Sequence, residues 1–296
     1  MLACCLSAAK PDTTGHTLTP MVWLAKLELD YRMAAGRCVV RHAHTGPLRI
    51  LQSLYPEGDS ICHNVLVHPP GGLVGGDTLD ITARVAPGAH GLITTPGATR
   101  FYRSDGEHAL QRTALALEAG ARLEWLPLET IAYSGCLAEN HLMLHLAPGA
   151  ELLGWDVTAL GLPAAGQPFE AGQFCQHIEM PGVWLERAQI KALDTRLMNS
   201  PLGLAGYRCM GTLFFVAGST LERQRRQKAL DIAREVMAVD PLCATAGATS
   251  PDGQVVLVRV LAPLVEPVMA LLKQLWLAWR HHFWQQAAAH PRIWST

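Results

Sequence analysis

Alternating polar and apolar positions mark the early part of the chain. From residue 24 the run LAKLELDY places Lys, Glu and Asp at every second position. This period of two predicts a half-buried β-strand. Apolar runs at residues 38–40 and 48–51, separated by a Thr-Gly-Pro turn at residues 45–47, predict two more strands. The opening third of the chain is therefore predicted to be β-structure.

A weak internal repeat follows these strands. Gly88, Gly120 and Gly149 stand 32 and then 29 positions apart, and an apolar run flanks each of them on both sides. Each unit also carries a second turn, near residues 96–97, 127 and 161–163. A strand, a turn and a strand that recur at a near-constant period are typical of stacked β-coils. The repeat predicts a mainly β, stacked β-sheet or β-helix-like single domain, continuous over roughly residues 22–215.

The last quarter changes to a helical pattern. Ser219 and Glu222 have the spacing of a capping box and predict a helix over residues 219–238. A β-branched strand at 254–261 and a second helix at 264–289 follow. The Leu and Trp residues along one side of that second helix are predicted to pack on the β-stack, with a partner-binding face as the alternative. The basic cluster at 223–228 is interpreted as a solvated face.

Composition narrows the class of protein. Residues 1–20 are rich in Thr, Pro and Ala and are predicted to form a disordered tail, which leaves 21–296 as one domain. Hydrophobic residues make up 49% of the chain and charged residues 17%, which favours a protein whose surface is partly covered by partners. A net charge of -1 argues against nucleic-acid binding.

The cysteines and the apolar runs indicate in which cellular compartment the protein is expected. Eight scattered cysteines without a CxxC pair fit neither a disulfide scaffold nor a zinc knuckle, so a reduced, cytoplasmic protein is expected. No uninterrupted run of eighteen apolar residues occurs, so no membrane span is expected.

A glycine-rich stretch, HPPGGLVGGD at residues 68–77, connects two predicted strands. Its glycines are Gly71, Gly72, Gly75 and Gly76, and they allow backbone angles that place Asp77 at a fixed position. A phosphate-binding loop would need a following Lys-Ser/Thr pair or a helix, and neither is present. The alternative is a tight β-connection that another backbone approaches closely.

Candidate metal ligands are dispersed along the chain. The stretch before the glycine loop offers Cys62, His63 and His68, and histidine pairs occur at 42 and 44, at 141 and 145, and at 281–282. Each pair alone is more often a surface or hydrogen-bonded histidine than a ligand. No set supplies four ligands at close spacing, so a structural zinc site is not expected. The G-x-S-x-G and HExxH motifs of hydrolases are also missing.

Five ordered motifs carry a family resemblance. They are HPPGGLVGGD, TTPGATRFYRS (94–104), LEWLPLETI (123–131), GWDVTALGLP (154–163) and WLERAQI (184–190). In this order and spacing they resemble the urease accessory protein D family, UreD, called UreH in some organisms, over roughly residues 22–210. The resemblance implies a mostly β fold with two helices. It also implies a non-enzymatic nickel-insertion chaperone that binds UreF, the GTPase UreG and apo-urease, and that holds Ni(II) only transiently.

The resemblance also implies residues for a nickel path. These residues are Asp77, Thr99, Glu129, Asp156 and Glu186. A conduit must release its ion, and scattered carboxylates and hydroxyls suit that task better than a closed cage.

Structural roles remain open for these residues. For Asp77 an Asx-type cap on the glycine loop is favoured over metal contact, whereas Asp156 is equally consistent with a turn-capping carboxylate. Glu186 is equally consistent with an exposed ion pair to Arg187. Gln167 stands where the family commonly has an acid, and Glu170 is the candidate replacement. Two other functions stay open, an assembly scaffold without metal contact and a β-rich metallohydrolase.

Overall fold

The strand pattern seen in the sequence becomes a pattern of burial. The computed structural model describes residues 23–287 and 290–295, and the tail predicted at 1–20 lies outside them. In the first strand, Leu24–Ala34, exposed and buried side chains alternate through most of its length. One face of this strand therefore belongs to a core, as the period of two predicts.

The described residues contain the following strands and helices. The first ten strands are β1 (Leu24–Ala34), β2 (Arg37–Thr45), β3 (Arg49–Leu54), β4 (Ile61–Val67), β5 (Thr78–Val85), β6 (His90–Thr94), β7 (Thr99–Phe101), β8 (Ala109–Leu117), β9 (Arg122–Leu126) and β10 (Thr130–Ala132). They are followed by β11 (Leu137–Leu146), β12 (Glu151–Leu162), β13 (Gln167–Pro168), β14 (Gln173–Met180), β15 (Trp184–Lys191), α1 (Thr195–Asn199), β16 (Cys209–Ala217), α2 (Arg223–Ala238), β17 (Ala246–Asp252), β18 (Val255–Ala262) and α3 (Val265–Trp284). Short 3₁₀ turns lie at Pro163–Ala165 and Arg292–Ser295.

The strands form two facing sheets. The first has the order β15-β14-β11-β8-β5-β1-β2, and the second runs β17-β18-β16-β12-β9-β6-β4-β3 with β7, β10 and β13 attached to it. Successive coils contribute parallel neighbours: β5, β8, β11 and β14 in the first sheet, and β4, β6, β9 and β12 in the second. Strand makes up 48% of the chain and helix 18%, so the predicted mainly β, solenoid-like stack is confirmed.

The predicted repeat is the turn that joins the two sheets in each coil. Gly88, Gly120 and Gly149 have φ values of 72°, 70° and 79°, which a side chain would disfavour. In each turn the residue after the glycine donates its N–H to a carbonyl three residues earlier, at 3.0–3.1 Å. The three turns therefore have one geometry and stack on one another.

The helix boundaries differ from the predicted ones. Helix α2 begins at Arg223 rather than 219, and its N-cap residue Glu222 makes no side-chain capping bond. The predicted capping box is wrong because the Ser219 hydroxyl instead accepts the N–H of Gly149 at 3.1 Å. Helix α3 ends at Trp284 rather than 289, because the next residue is left-handed with φ 54°. The sequence patterns did not predict helix α1.

The molecule contains two apolar cores. One fills the space between the sheets, and the other lies between the second sheet and helices α2 and α3. The predicted Leu and Trp face of α3 is buried in the second core, which confirms the packing interpretation. The basic cluster is only partly solvated, because Arg225 bonds Glu151 Oε1 at 2.5 Å and the carbonyl of Phe283 at 2.8 Å. None of the helices in the described ranges has the length and apolar character needed to cross a membrane.

A buried charge cluster fastens α3 to the second sheet. The guanidinium of Arg280 is fully buried, with its Nη1 and Nη2 atoms 2.6 and 3.0 Å from the carboxylate of Glu57. Its Nε lies 3.2 Å from Glu124, a buried residue on β9. Glu124 is also hydrogen-bonded to Trp276 at 2.7 Å and to His90 at 2.9 Å. One cation thus joins helix α3 to a turn and to a strand of the stack.

The same contacts set the titration of Glu57. Burial alone raises the pKa of this carboxyl, but hydrogen bonds from His63 and Arg280 and the charge of Arg280 outweigh burial and lower the pKa from 4.5 to about 2. A lowered folded-state pKa means that the contribution of Glu57 to stability is full above the unfolded pKa. That contribution is lost as the pH falls through the folded value.

We expect Arg280→Met to lower the free energy of unfolding by about 3–5 kcal/mol near neutral pH, because the buried carboxylate of Glu124 and the largely buried one of Glu57 lose their cation. Urea unfolding measures the loss. The difference from the parent should narrow as the pH falls from 4.5 toward about 2, where Glu57 becomes protonated.

Arg234→Met is the matched control, because Arg234 forms an exposed ion pair with Asp231 at 3.3 Å. Its effect should stay within about 0.5 kcal/mol. Equal losses in the two variants would mean that the buried cluster does not fasten α3.

Candidate functional site

The glycine loop is a close-packed connection between β4 and β5. A Cβ at Gly72 would overlap the ring of Tyr102, and one at Gly75 would overlap Ser104. Gly71 and Gly76 have φ values of 79° and 90°. The loop therefore requires glycine at these four positions for two different reasons, close approach and left-handed backbone.

Asp77 holds the end of this loop. Its carboxylate accepts the N–H of Val74 at 3.0 Å and that of Trp23 at 3.4 Å. The residue is buried, and both oxygens are engaged by backbone donors. Asp77 thus has the structural role that was the alternative to metal contact, although the bonded N–H of Val74 lies three residues before it and not two residues after it, as in an Asx turn.

A row of amides crosses the interior of the first sheet. Gln111, Asn140 and Gln176 occupy in-register positions on neighbouring strands β8, β11 and β14. All three are buried among inward-facing apolar residues. Across the core, Asp156 and Arg259 are both paired in register with Thr212, on strands β12, β18 and β16. Two polar rows therefore face each other between the sheets.

Asp156 joins the two rows. It accepts hydrogen bonds from Asn140 Nδ2 at 2.9 Å, from Gln176 Nε2 at 2.5 Å and from Thr158 Oγ1 at 3.3 Å. Asn140 in turn accepts from Gln111 Nε2 at 3.3 Å. The turn-capping alternative for Asp156 is wrong, because the residue lies in the middle of β12.

The environment of Asp156 changes its acidity. Burial raises the pKa of Asp156 to about 6, against the opposing hydrogen bonds from Thr158, Gln176 and Asn140. The negative charge of Glu186 adds to the increase. The group therefore changes charge closer to neutral pH than an ordinary aspartate does.

Asp156 and Glu186 line one cavity. This cavity, which we call the carboxylate cavity, has a volume of about 400 Å³ and also contacts Gln176, Thr212 and Arg259. Glu186 Oε2 accepts two bonds from Arg259, from Nη2 at 2.6 Å and from Nε at 3.2 Å. The expected ion pair with Arg187 is therefore wrong, because the partner comes from the opposite sheet.

A second, smaller cavity contains two more of the candidate residues. This loop cavity has a volume of about 170 Å³ and is lined by His68, Gly71, Thr99 and Gln111, among others. Burial lowers the pKa of His68, with the charge of Asp77 acting against the decrease. Because Gln111 lines the loop cavity and bonds Asn140, the amide row runs from this cavity to Asp156 in the carboxylate cavity.

Glu129 lies apart from this row. Its charge acts on Lys273 of α3, where it opposes the decrease in lysine pKa caused by burial. Its carbonyl accepts the N–H of Thr99 at 2.9 Å, which is a backbone contact only. The structure thus places Glu129 toward the helices. Gln167 and Glu170 are exposed and are not among the residues lining either cavity.

The candidate ligands before the loop do not converge. Cys62 and His63 are consecutive in β4 and point to opposite faces. Cys62 lies in the core between the sheets beside Asn64, whereas His63 bonds Glu57 at 2.8 Å under α3. Over residues 23–287 and 290–295, no three His, Cys, Asp or Glu side chains are placed to hold one metal ion.

The amides of the interior row were missed in the sequence. Gln111 and Asn140 each stand nine positions before a turn glycine, Gly120 and Gly149. Aligning the repeat on its glycines would have placed both amides on the inward face of neighbouring coils. Arg259 carries no such signal, because its contact with Glu186 depends on how the sheets face each other.

The fold and the site define a class, a β-solenoid whose interior polar row joins two cavities. A family model described as "UreD urease accessory protein" matches residues 24–295. The chain belongs to the UreD urease accessory protein family. This confirms the family resemblance and extends it beyond residue 210.

Relatives of the chain agree with the family match. The urease accessory protein UreD of Polaromonas sp. (strain JS666 / ATCC BAA-500) is 74% identical over 275 residues, which cover 93% of this chain and 100% of that protein. The UreD of Albidiferax ferrireducens is 67% identical with the same coverage. The UreD of Methylibium petroleiphilum is 49% identical over 296 residues, with 93% of this chain and 100% of that protein covered.

The raised pKa of Asp156 predicts a pH-dependent stability. A folded-state pKa above the unfolded value means that the contribution of Asp156 is full below about 3.8 and is lost as the pH rises through about 6. The Asp156→Asn variant does not titrate in this window. The stability of the parent relative to the variant should therefore fall by on the order of 3 kcal/mol as the pH rises through it.

Urea unfolding at several pH values measures this difference. Asp231→Asn is the control and should show no such fall, because the Asp231 side chain on α2 is 44% exposed. A constant difference between the parent and Asp156→Asn would contradict the assignment of the raised pKa to Asp156.

Proposed function

We propose that this protein, working with UreF and the GTPase UreG, conveys Ni(II) to the active site of apo-urease. The ion is a cargo rather than a resident cofactor, and the protein itself catalyses no reaction. The observation that carries the proposal is the hydrogen-bonded row that links the loop cavity to the carboxylate cavity through Asp156.

The chemistry of the row suits passage better than storage. Carboxylate, amide and hydroxyl oxygens bind Ni(II) less strongly than imidazole or thiolate ligands do. Asp156 is held by three neutral donors, so an incoming cation has to replace hydrogen bonds rather than another cation. Its raised pKa also means that protons compete with metal near neutral pH. These features support weak, reversible binding.

Glu186 and Arg259 provide the next step in the proposed route. Their ion pair borders the carboxylate cavity, with Arg259 about half exposed. A cation that binds Glu186 must displace this guanidinium, which can move toward solvent. Release of the metal would restore the ion pair. The exchange keeps the carboxylate paired both before and after passage.

The partners and the compartment belong to the same proposal. GTP hydrolysis is assigned to UreG, which agrees with a glycine loop that connects two strands and precedes no helix. We place the protein in the cytoplasm with its partners. The predicted paths through Asp77 and Glu129 receive no support from their contacts, and we assign Asp77 to the loop structure instead.

The proposal is tested first by co-purification. The chain should form a complex with the UreF and UreG proteins of the same organism, and activation of apo-urease by nickel should depend on this complex. Absence of both the complex and the dependence would contradict the proposed function.

We expect Asp156→Ala to lower urease activation at limiting nickel by about tenfold, the scale seen when groups that support a metal site are removed. Binding to UreF should be unchanged, because the residue lies between the sheets. Co-purification and urease activity measure the two effects separately.

Asp231→Ala is the matched control, because Asp231 carries the same charge on the exposed face of α2. Thermal unfolding checks that each variant is folded. Full activation by a folded Asp156→Ala complex at limiting nickel would remove Asp156 from the route. That result would favour the assembly scaffold without metal contact.

A further inference from the structure

The outer face of the first sheet carries a group of histidine and glutamate side chains, residue types that commonly bind metal ions. His141 and His177 are in-register neighbours on the parallel strands β11 and β14, with ring centroids 5.4 Å apart. They directly follow Asn140 and Gln176 in the chain. Because side chains alternate along a strand, the two imidazoles lie on the solvent face of the same strands whose inner face holds the amide row.

Two carboxylates flank this histidine pair. Glu139 Oε2 lies 3.2 Å from His141 Nε2, and Glu179 Oε2 lies 2.6 Å from His177 Nε2. The side chains of all four residues are between 22% and 37% exposed, so water and ions reach them. The arrangement is a Glu-x-His on one strand beside a His-x-Glu on the next.

Two arginines adjoin the histidine pair and offset the negative charge of Glu139 and Glu179. Arg112 and Arg187 occupy the in-register positions on either side of the pair, on β8 and β15. The two glutamates balance these two arginines. His108 Nδ1 lies 3.0 Å from Glu139 Oε1 and adds a third imidazole to the edge of the group.

We propose that His141 and His177 bind one first-row divalent cation on this outer face. Paired imidazoles select ions such as Ni(II), Zn(II) and Cu(II) over Mg(II) and Ca(II). The described residues hold no ready group of three donors, so water completes the coordination and the glutamates orient the rings. The site lies one sheet thickness from the interior row and does not depend on the proposed delivery function.

Equilibrium dialysis of the untagged full-length chain with Ni(II) alone tests this site, at a pH above the ordinary imidazole pKa. The double variant His141→Ala/His177→Ala should bind one ion fewer, or bind it at least about tenfold more weakly. His145→Ala is the matched control, because His145 is an exposed histidine of the same strand β11. Circular dichroism and thermal unfolding check the fold.

The single variants His141→Gln and His177→Gln give a second measurement. With Cu(II) as the probe, electron paramagnetic resonance should show two coupled imidazole nitrogens in the parent and one in either variant. Unchanged binding in the double variant, an equal loss in His145→Ala, or an unchanged spectrum in both single variants would overturn the proposal.

These experiments distinguish the interior route through Asp156 from the histidine pair on the outer face. Asp156→Asn should retain the ion at the histidine pair, because its side chain lies on the other side of the sheet. Loss of surface binding with normal urease activation would support the histidine site alone. Impaired activation in Asp156→Ala with normal surface binding would support the interior route alone.

Discussion

The register between successive coils is the constraint on which the rest of this structure depends. Each coil repeats a strand, a left-handed glycine turn and a strand, so equivalent positions in neighbouring coils lie directly beside one another. An inward polar side chain placed in one coil must find its partner in the next, since a buried polar group without a hydrogen bond is costly. Gln111, Asn140 and Gln176 satisfy this requirement together. Because the row ends on Asp156, the same register that builds the fold also fixes the position of its buried acid.

Local patterns were sufficient to predict the stack and insufficient to predict its polar contacts. The period of two and the spacing of Gly88, Gly120 and Gly149 are properties of the chain itself, and both carried over into the structure. Glu129 was assigned to the interior path, yet Pro127 interrupts the alternation before it, and the residue turns toward α3. The spacing of Ser219 and Glu222 predicts a helix cap because a local pattern contains only contacts between near neighbours. The actual partner of Ser219, Gly149, lies 70 residues earlier.

Most of the other contacts that the sequence did not predict join residues that are far apart in the chain. Arg280 meets Glu57 across 223 residues of sequence, and no spacing rule anticipates such a pair. Arg259 displaced Arg187 as the partner of Glu186 for the same reason. Asp77 and Asp156 were both candidates for the nickel path with a capping role as the alternative, and the structure places them in different environments. The first is held by backbone N–H groups at a loop end, and the second is held by side chains inside the stack.

The stacked turns have a consequence for how the length of the interior row can change. Neighbouring strands in a sheet lie about 4.8 Å apart, so each coil adds one such step to the distance between the two cavities. Inserting a single residue into β8 or β11 would turn Gln111 or Asn140 toward solvent and interrupt the row. Insertions in the second turns leave the strands in register. The length of the row can thus change only by whole coils. Gaining or losing one coil changes this length without changing the spacing between the remaining residues of the row.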